Sequence, residues 1–212
     1  MMPGPNSIYQ CPNCQNLLSR ESIASGNTIG SKLYSDGRRI SPMLPTLPNL
    51  TKCPKCNWIM WISKLKELGT TNWIDVHNKE WSNADEVQFL GIDDLMKAIE
   101  QGVTTNKEEE LLVRQNIWWA FNNRVRKNDE MLPTEEEKTQ WEKNAYQLMG
   151  LLNPEDLNQK IMLAELHRNL GHFDKCRAII KSIEDENLNW VKEALLKECD
   201  KGNTYVVQLE SN

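Results

Sequence analysis

Residues 9–66 show no helical periodicity. Short apolar pieces alternate with turn signals: Ser-Gly-Asn at 25–27, Ser-Asp-Gly at 35–37, and prolines at 42, 45 and 48. That pattern predicts short strands joined by loops. Residues 1–8, rich in Pro, Gly and Asn, are expected to fray. The stretch 58–68 reads as a strand running into a helical turn that Gly69 ends, and the polar stretch to residue 91 reads as a connector. From about residue 92 the apolar period becomes helical. A short helix over 94–101 is capped by Asp93 and stopped by Gly102. Thr105 with Glu108 suggests a capping box opening a helix to about Lys127, with Leu111, Leu112, Ile117, Trp118, Phe121 and Val125 on one side. Pro133, Thr134 and Glu137 open a third helix, to about Leu152. Asn153-Pro154 restarts the chain as N-cap and first helical position, and that helix closes at Gly171. Two more helices follow, at about 173–183 and 187–200. The tail carries a strand-like Val-Val-Gln-Leu with no obvious partner in the sequence.

Charge divides the chain in the same place. Residues 1–66 hold eight basic and two acidic side chains, and the remainder holds 17 basic and 28 acidic. Two parts with different surfaces are expected. The acidic part argues against general coating of nucleic acid, while the basic part leaves local anion or nucleic-acid binding open. Mean hydropathy is −0.62, and no apolar run approaches the ~18 residues that a membrane span needs. The start, MMPGPNSIYQ, lacks a cationic region followed by an apolar one, so the expectation is a cytoplasmic chain with no membrane contact.

Four of the six cysteines form two C-P-x-C pairs, Cys11/Cys14 and Cys53/Cys56. Two intervening residues let both sulfurs of a pair face one ion, and the proline presets the turn. Two such knuckles complete a tetrahedral S4 set, which suits one Zn2+ per chain. The 38 residues between the pairs imply a long inserted loop, a weak objection because doubling a loop costs only ~0.6 kcal/mol. A rubredoxin-like iron centre for electron transfer uses the same ligands. A redox dithiol expects a βαβ setting that is absent, and a catalytic zinc would need a position that four thiolates fill. No His lies near the pairs; His77, His167 and His172 are all far along the chain. After each knuckle stand Gln15 and Asn57, where a positive φ often calls for glycine.

Within the loop, Ser35-Asp36-Gly37 reads as a hairpin tip. Tyr34 on one side and Arg38-Arg39 on the other, with Lys32 and Lys52 nearby, form a candidate nucleic-acid or anion contact against the alternative of a solvated surface hairpin. Trp118 and Trp119 cannot share one helix face, so one is assigned to the core and the other to the N-terminal part or a partner.

Residues 160–183 resemble one tetratricopeptide repeat. Leu163-Ala164 match its large–small pair, Gly171 its turn, Phe173 the aromatic that follows, and Cys176 the small residue of its second helix, with Ile180 and Ile183 on the buried face; His167 departs from the expected aromatic. Cys176 is read as a small core residue, and Cys199 receives no role. As a whole the chain resembles a group of bacterial proteins that join an N-terminal ribbon with paired CPxC motifs to a C-terminal tetratricopeptide-like segment. The resemblance rests on YQCPNC, LYSDG, TKCPKC, LAELHRNLGHFD and NTYVVQL. It implies this architecture, zinc and a cytoplasmic setting, and no activity.

The expected fold is α+β, mainly α: a zinc ribbon at 1–68, a connector at 69–91 and a helical, tetratricopeptide-like domain at 92–212. No GxGxxG, P-loop, HExxH or nucleophile elbow occurs. The expected role is therefore non-enzymatic: structural zinc beside a scaffold for a protein partner.

Overall fold

The computed structural model describes residues 1–71 and 81–210. The central part of the connector, with His77, lies outside them. Mixed α/β structure is observed, with strands towards the N-terminus and helices predominating after residue 92. None of the described helices is long and apolar enough to cross a membrane.

Two compact units emerge. One comprises residues 1–31 and 40–103, the other residues 32–39 and 104–212. Both differ from the division at 68 and 92 expected from sequence. The first unit keeps helix α1 (Ile92–Glu100), and the second takes eight residues from inside the cysteine-bounded loop.

In the first unit a four-stranded sheet runs in the order Asp85–Glu86, Leu17–Arg20, Asn6–Gln10, Gly69–Thr71. Its first pair is parallel and the others antiparallel. Leu50–Lys52 pairs antiparallel with Ile59–Trp61. The segment 1–8, expected to fray, carries two short strands, and Met2–Pro3 pairs with Ile23–Ser25. Tyr9, Leu18, Met60, Ile62 and Val87 form a small core that includes Cys11 and Cys53. Helix α1 belongs here because Lys52 pairs with Asp94 at 2.6 Å and the Trp61 indole N–H donates to the Val103 carbonyl at 3.0 Å. Its N-cap is Gly91, one turn-start earlier than the predicted Asp93; Asp93 and Asp94 sit in the first turn, where the helix dipole favours them.

The second unit contains α2 (Lys107–Arg126), α3 (Glu135–Leu151), α4 (Leu157–Asn169), α5 (Phe173–Lys181) and α6 (Asn189–Asp200). Their caps show where short-range chemistry decides a boundary. Thr134 accepts from the Glu137 N–H at 3.1 Å, as expected. For α2 the cap is Asn106, which accepts from the Glu109 N–H, while the Glu109 carboxylate takes the Thr105 N–H at 2.8 Å. The box exists but is shifted by one residue. For α4 the cap is Asp156 rather than Asn153, whose side chain closes a turn on Glu155 instead.

Ala164, Cys176, Ile180, Val191, Leu195 and Cys199 pack α4, α5 and α6 together. A second cluster joins Trp118 of α2, Ala145 and Leu148 of α3, and Leu166 of α4. Ala164 and Cys176 are fully buried, so α4 and α5 meet where small side chains allow it. The tail strand Gln208–Leu209 finds its partner in Lys32–Tyr34, antiparallel. An apolar strand with no sequence neighbour to pair with thus meets one 172 residues away, where the Val207 N–H reaches the Ser35 hydroxyl.

Candidate metal centre

Each cysteine pair is built by the same local bonds. The Gln15 N–H donates to the Cys11 carbonyl at 2.9 Å, and the Asn57 N–H to the Cys53 carbonyl at 2.8 Å. Returning bonds run from Cys11 N–H to Asn16 O and from Cys53 N–H to Trp58 O. Closing so tight a loop needs a left-handed residue, and Gln15 (φ 62°) and Asn57 (φ 61°) supply it. Both first cysteines are buried, and both second cysteines are half-buried.

The two knuckles bring all four sulfurs within 4.8 Å of one another, the one group of three or more metal-ligating side chains among the described residues. Cys11 and Cys56 sulfurs stand 3.6 Å apart, as do those of Cys14 and Cys53. A disulfide would require about 2.05 Å. Two sulfurs on one tetrahedral ion with bonds of about 2.3 Å stand about 3.8 Å apart. The spacing therefore fits four ligands around one ion, and the all-sulfur donor set suits Zn2+ or a single iron.

Groups around the ligands tune them unequally. Burial pushes the Cys11 thiol up to about 12. The Asn13 side chain, reaching across to the other knuckle, and the Trp58 N–H draw the Cys56 thiol down to about 6. Asn13 is a supporting residue that the sequence reading passed over; its position inside C-P-N-C is the only signal it carries there.

Of the five residues read as an anion or nucleic-acid contact, Lys32, Tyr34, Arg38 and Arg39 lie in the second unit and Lys52 in the first. In the first unit Lys52 is paired with Asp94. In the second, Arg126 stacks over the Tyr34 ring at 4.5 Å, and Arg38 lies over the Trp119 ring at 5.5 Å. Burial and the nearby Arg126 push the Arg38 guanidinium down. Lys32 and Arg39 are exposed.

The hairpin tip enters a polar network of the helical unit. Asp36 accepts from Asn122 at 2.8 Å and from Arg126, its own carbonyl accepts from the Trp119 indole, and Ser35 donates to Glu165 at 2.7 Å. Glu165 and Arg168 are both fully buried and joined by two bonds, at 2.5 and 2.8 Å. Burial pushes the Glu165 carboxyl up against the pull of Arg168. Trp118 is the core tryptophan, donating to Asn169, and Trp119 faces the hairpin. Cys176 and Cys199 are buried free thiols, both pushed up by desolvation.

No family model, no curated protein and no solved structure matches the chain.

Proposed function

We propose that the chain is a non-enzymatic protein in which one structural Zn2+ on Cys11, Cys14, Cys53 and Cys56 holds the first unit as a zinc ribbon, and the helical unit serves as a scaffold for a protein partner. The observation that carries this is the set of four sulfurs at tetrahedral spacing, two of them in the small core. Tyr9, Leu18, Met60, Ile62 and Val87 pack around Cys11 and Cys53, and a bound ion adds folding free energy to that apolar burial. Four thiolates fill the coordination shell, so the ion supplies shape and no water for catalysis. Six free thiols accord with a reducing, cytoplasmic setting. The scaffold half of the reading draws support from α4 and α5, which pack at Ala164 and Cys176 around Gly171 as a tetratricopeptide-like pair would.

Elemental analysis and an absorption spectrum of the native, untagged chain test it. About one zinc per chain without colour is expected. Iron with thiolate charge-transfer bands would overturn it and make the centre an electron carrier. Protein free of metal with four titratable thiols at the site would overturn both.

A further inference from the structure

A cavity of about 360 Å3 lies within the helical unit, under the hairpin 33–39 and beside α4 and α6. That is within the usual range of small-molecule sites, about 300–1,000 Å3. Leu33, Ile161, Met162, Leu188, Val191 and Leu209 make its walls aliphatic, with Trp190 as the one indole. Of the polar side chains that line it, Tyr34, Ser35 and Asp36 are engaged within the helical unit, and three others are Arg39, Gln115 and Asn158. None of the three has a hydrogen-bond or ion-pair partner among the described residues. The one acidic lining residue, Asp36, is neutralised by Arg126 and shielded by Asn122. The cavity therefore presents an aliphatic interior and, at the exposed Arg39, one positive charge without an acidic partner among the described residues.

We infer that this cavity binds a small aliphatic carboxylate, its chain against the aliphatic walls and its carboxylate on the Arg39 guanidinium, with the Gln115 and Asn158 amides completing the polar end. A guanidinium offers two parallel N–H donors that match a carboxylate, a pairing that a neutral head group does not make. Tyr34 and Arg38 are held by Arg126 and Trp119, and Lys52 by Asp94, so Arg39 alone of those five residues is both unpaired and at a cavity. The inference is independent of the metal centre, whose residues take no part.

The test uses the full metal-loaded chain, labelled at the methionine methyls, titrated with octanoate and, in parallel, with octanamide. Octanoate is expected to shift the Met162 methyl resonance, assigned by Met162→Leu, and octanamide to bind roughly fivefold more weakly. Arg39→Gln removes the distinction between the two. Ile161→Phe fills the cavity and abolishes the shift, with its melting temperature confirming that it folds. An unmoved Met162 resonance would overturn the inference. So would equal binding of acid and amide, or octanoate binding that survives Ile161→Phe and so lies elsewhere.

Discussion

Asp36 and Arg126, ninety positions apart, form an ion pair whose side chains are 0% and 5% exposed. The carboxylate also takes the Asn122 amide and the Arg38 N–H. Removing one member leaves the other charged and buried, which costs about 3–5 kcal/mol. Asp36→Asn is expected to destabilise the helical unit by that order, read from denaturant unfolding of the full chain by its helical circular dichroism. Replacing the pair together, Asp36→Leu with Arg126→Met, should recover most of the loss, because neither charge is then stranded. A cost below about 1 kcal/mol for Asp36→Asn would mean that the pair is solvated in solution.

That pair marks the limit of what the residues reveal in order. The metal centre is legible because its chemistry is local: cysteine type, a two-residue gap and a preset turn suffice for each knuckle, and only the joining of the two is long-range. Helix existence is legible from period, and the caps at Asn106 and Asp156 differ from the predicted ones by one to three residues because several side chains nearby can each accept the same N–H. The Ser-Asp-Gly turn is legible too, with Gly37 at φ 76°. Its destination is not. Tyr34, Arg38 and Arg39 read as a solvated or anion-binding face, since nothing near them says that Trp119 and Arg126 will cover two of the three. The partnerless tail strand, which pairs with Lys32–Tyr34, was the available clue that this segment leaves its neighbours.

Thiol reactivity should separate the six cysteines into two classes. In the metal-loaded chain the four ligands are bound, and Cys176 and Cys199 are buried with thiols pushed up by desolvation. Alkylation followed by mass spectrometry is expected to find no modified cysteine in the native protein, four after a strong chelator, and six only with denaturant added. Cys53→Ser should lower the zinc content, whereas Cys176→Ala should leave it at one per chain. Labelling of Cys176 in the chelated protein would show instead that the helical unit opens when the metal leaves.

Acid should weaken the helical unit through His167. Its Nδ1 lies 3.4 Å from that of His172, so the two rings have room for one proton between them. Burial, then Lys175 and His172, lower the His167 pKa from 6.5. As pH falls through about 6.5 the unfolded chain takes up a proton that the folded chain resists, so folded stability is present above that value and is lost until the lower folded value is reached. His167→Gln removes the group from both states. The expected result is a melting temperature that falls less between pH 7.5 and 5 than in the parent, with a stable offset above pH 7. Comparing the two proteins cancels acid release of zinc, which affects both alike. Parallel curves would assign the acid sensitivity to other groups.

The knuckles offer a test in which the two halves of one motif should answer differently. Gln15 and Asn57 occupy the same left-handed position, at φ 62° and 61°, and close the same bond to the first cysteine of their pair. Their side chains are exposed and do not touch the cysteines through any bond that glycine would remove. Glutamine pays the steric cost of that conformation in full, whereas asparagine visits it readily. Glycine removes the cost but raises the entropy of the unfolded chain, so the gain is a difference of two similar quantities. Gln15→Gly is expected to stabilise the first unit by about 0.5–1 kcal/mol, and Asn57→Gly to change it by less. The melting temperature of the metal-loaded chain and the chelator concentration that removes half the zinc should both rise for Gln15→Gly. If Gln15→Gly lowered both, the turn would owe its shape to the side chain rather than to the backbone, and the equivalence of the two knuckles would fail.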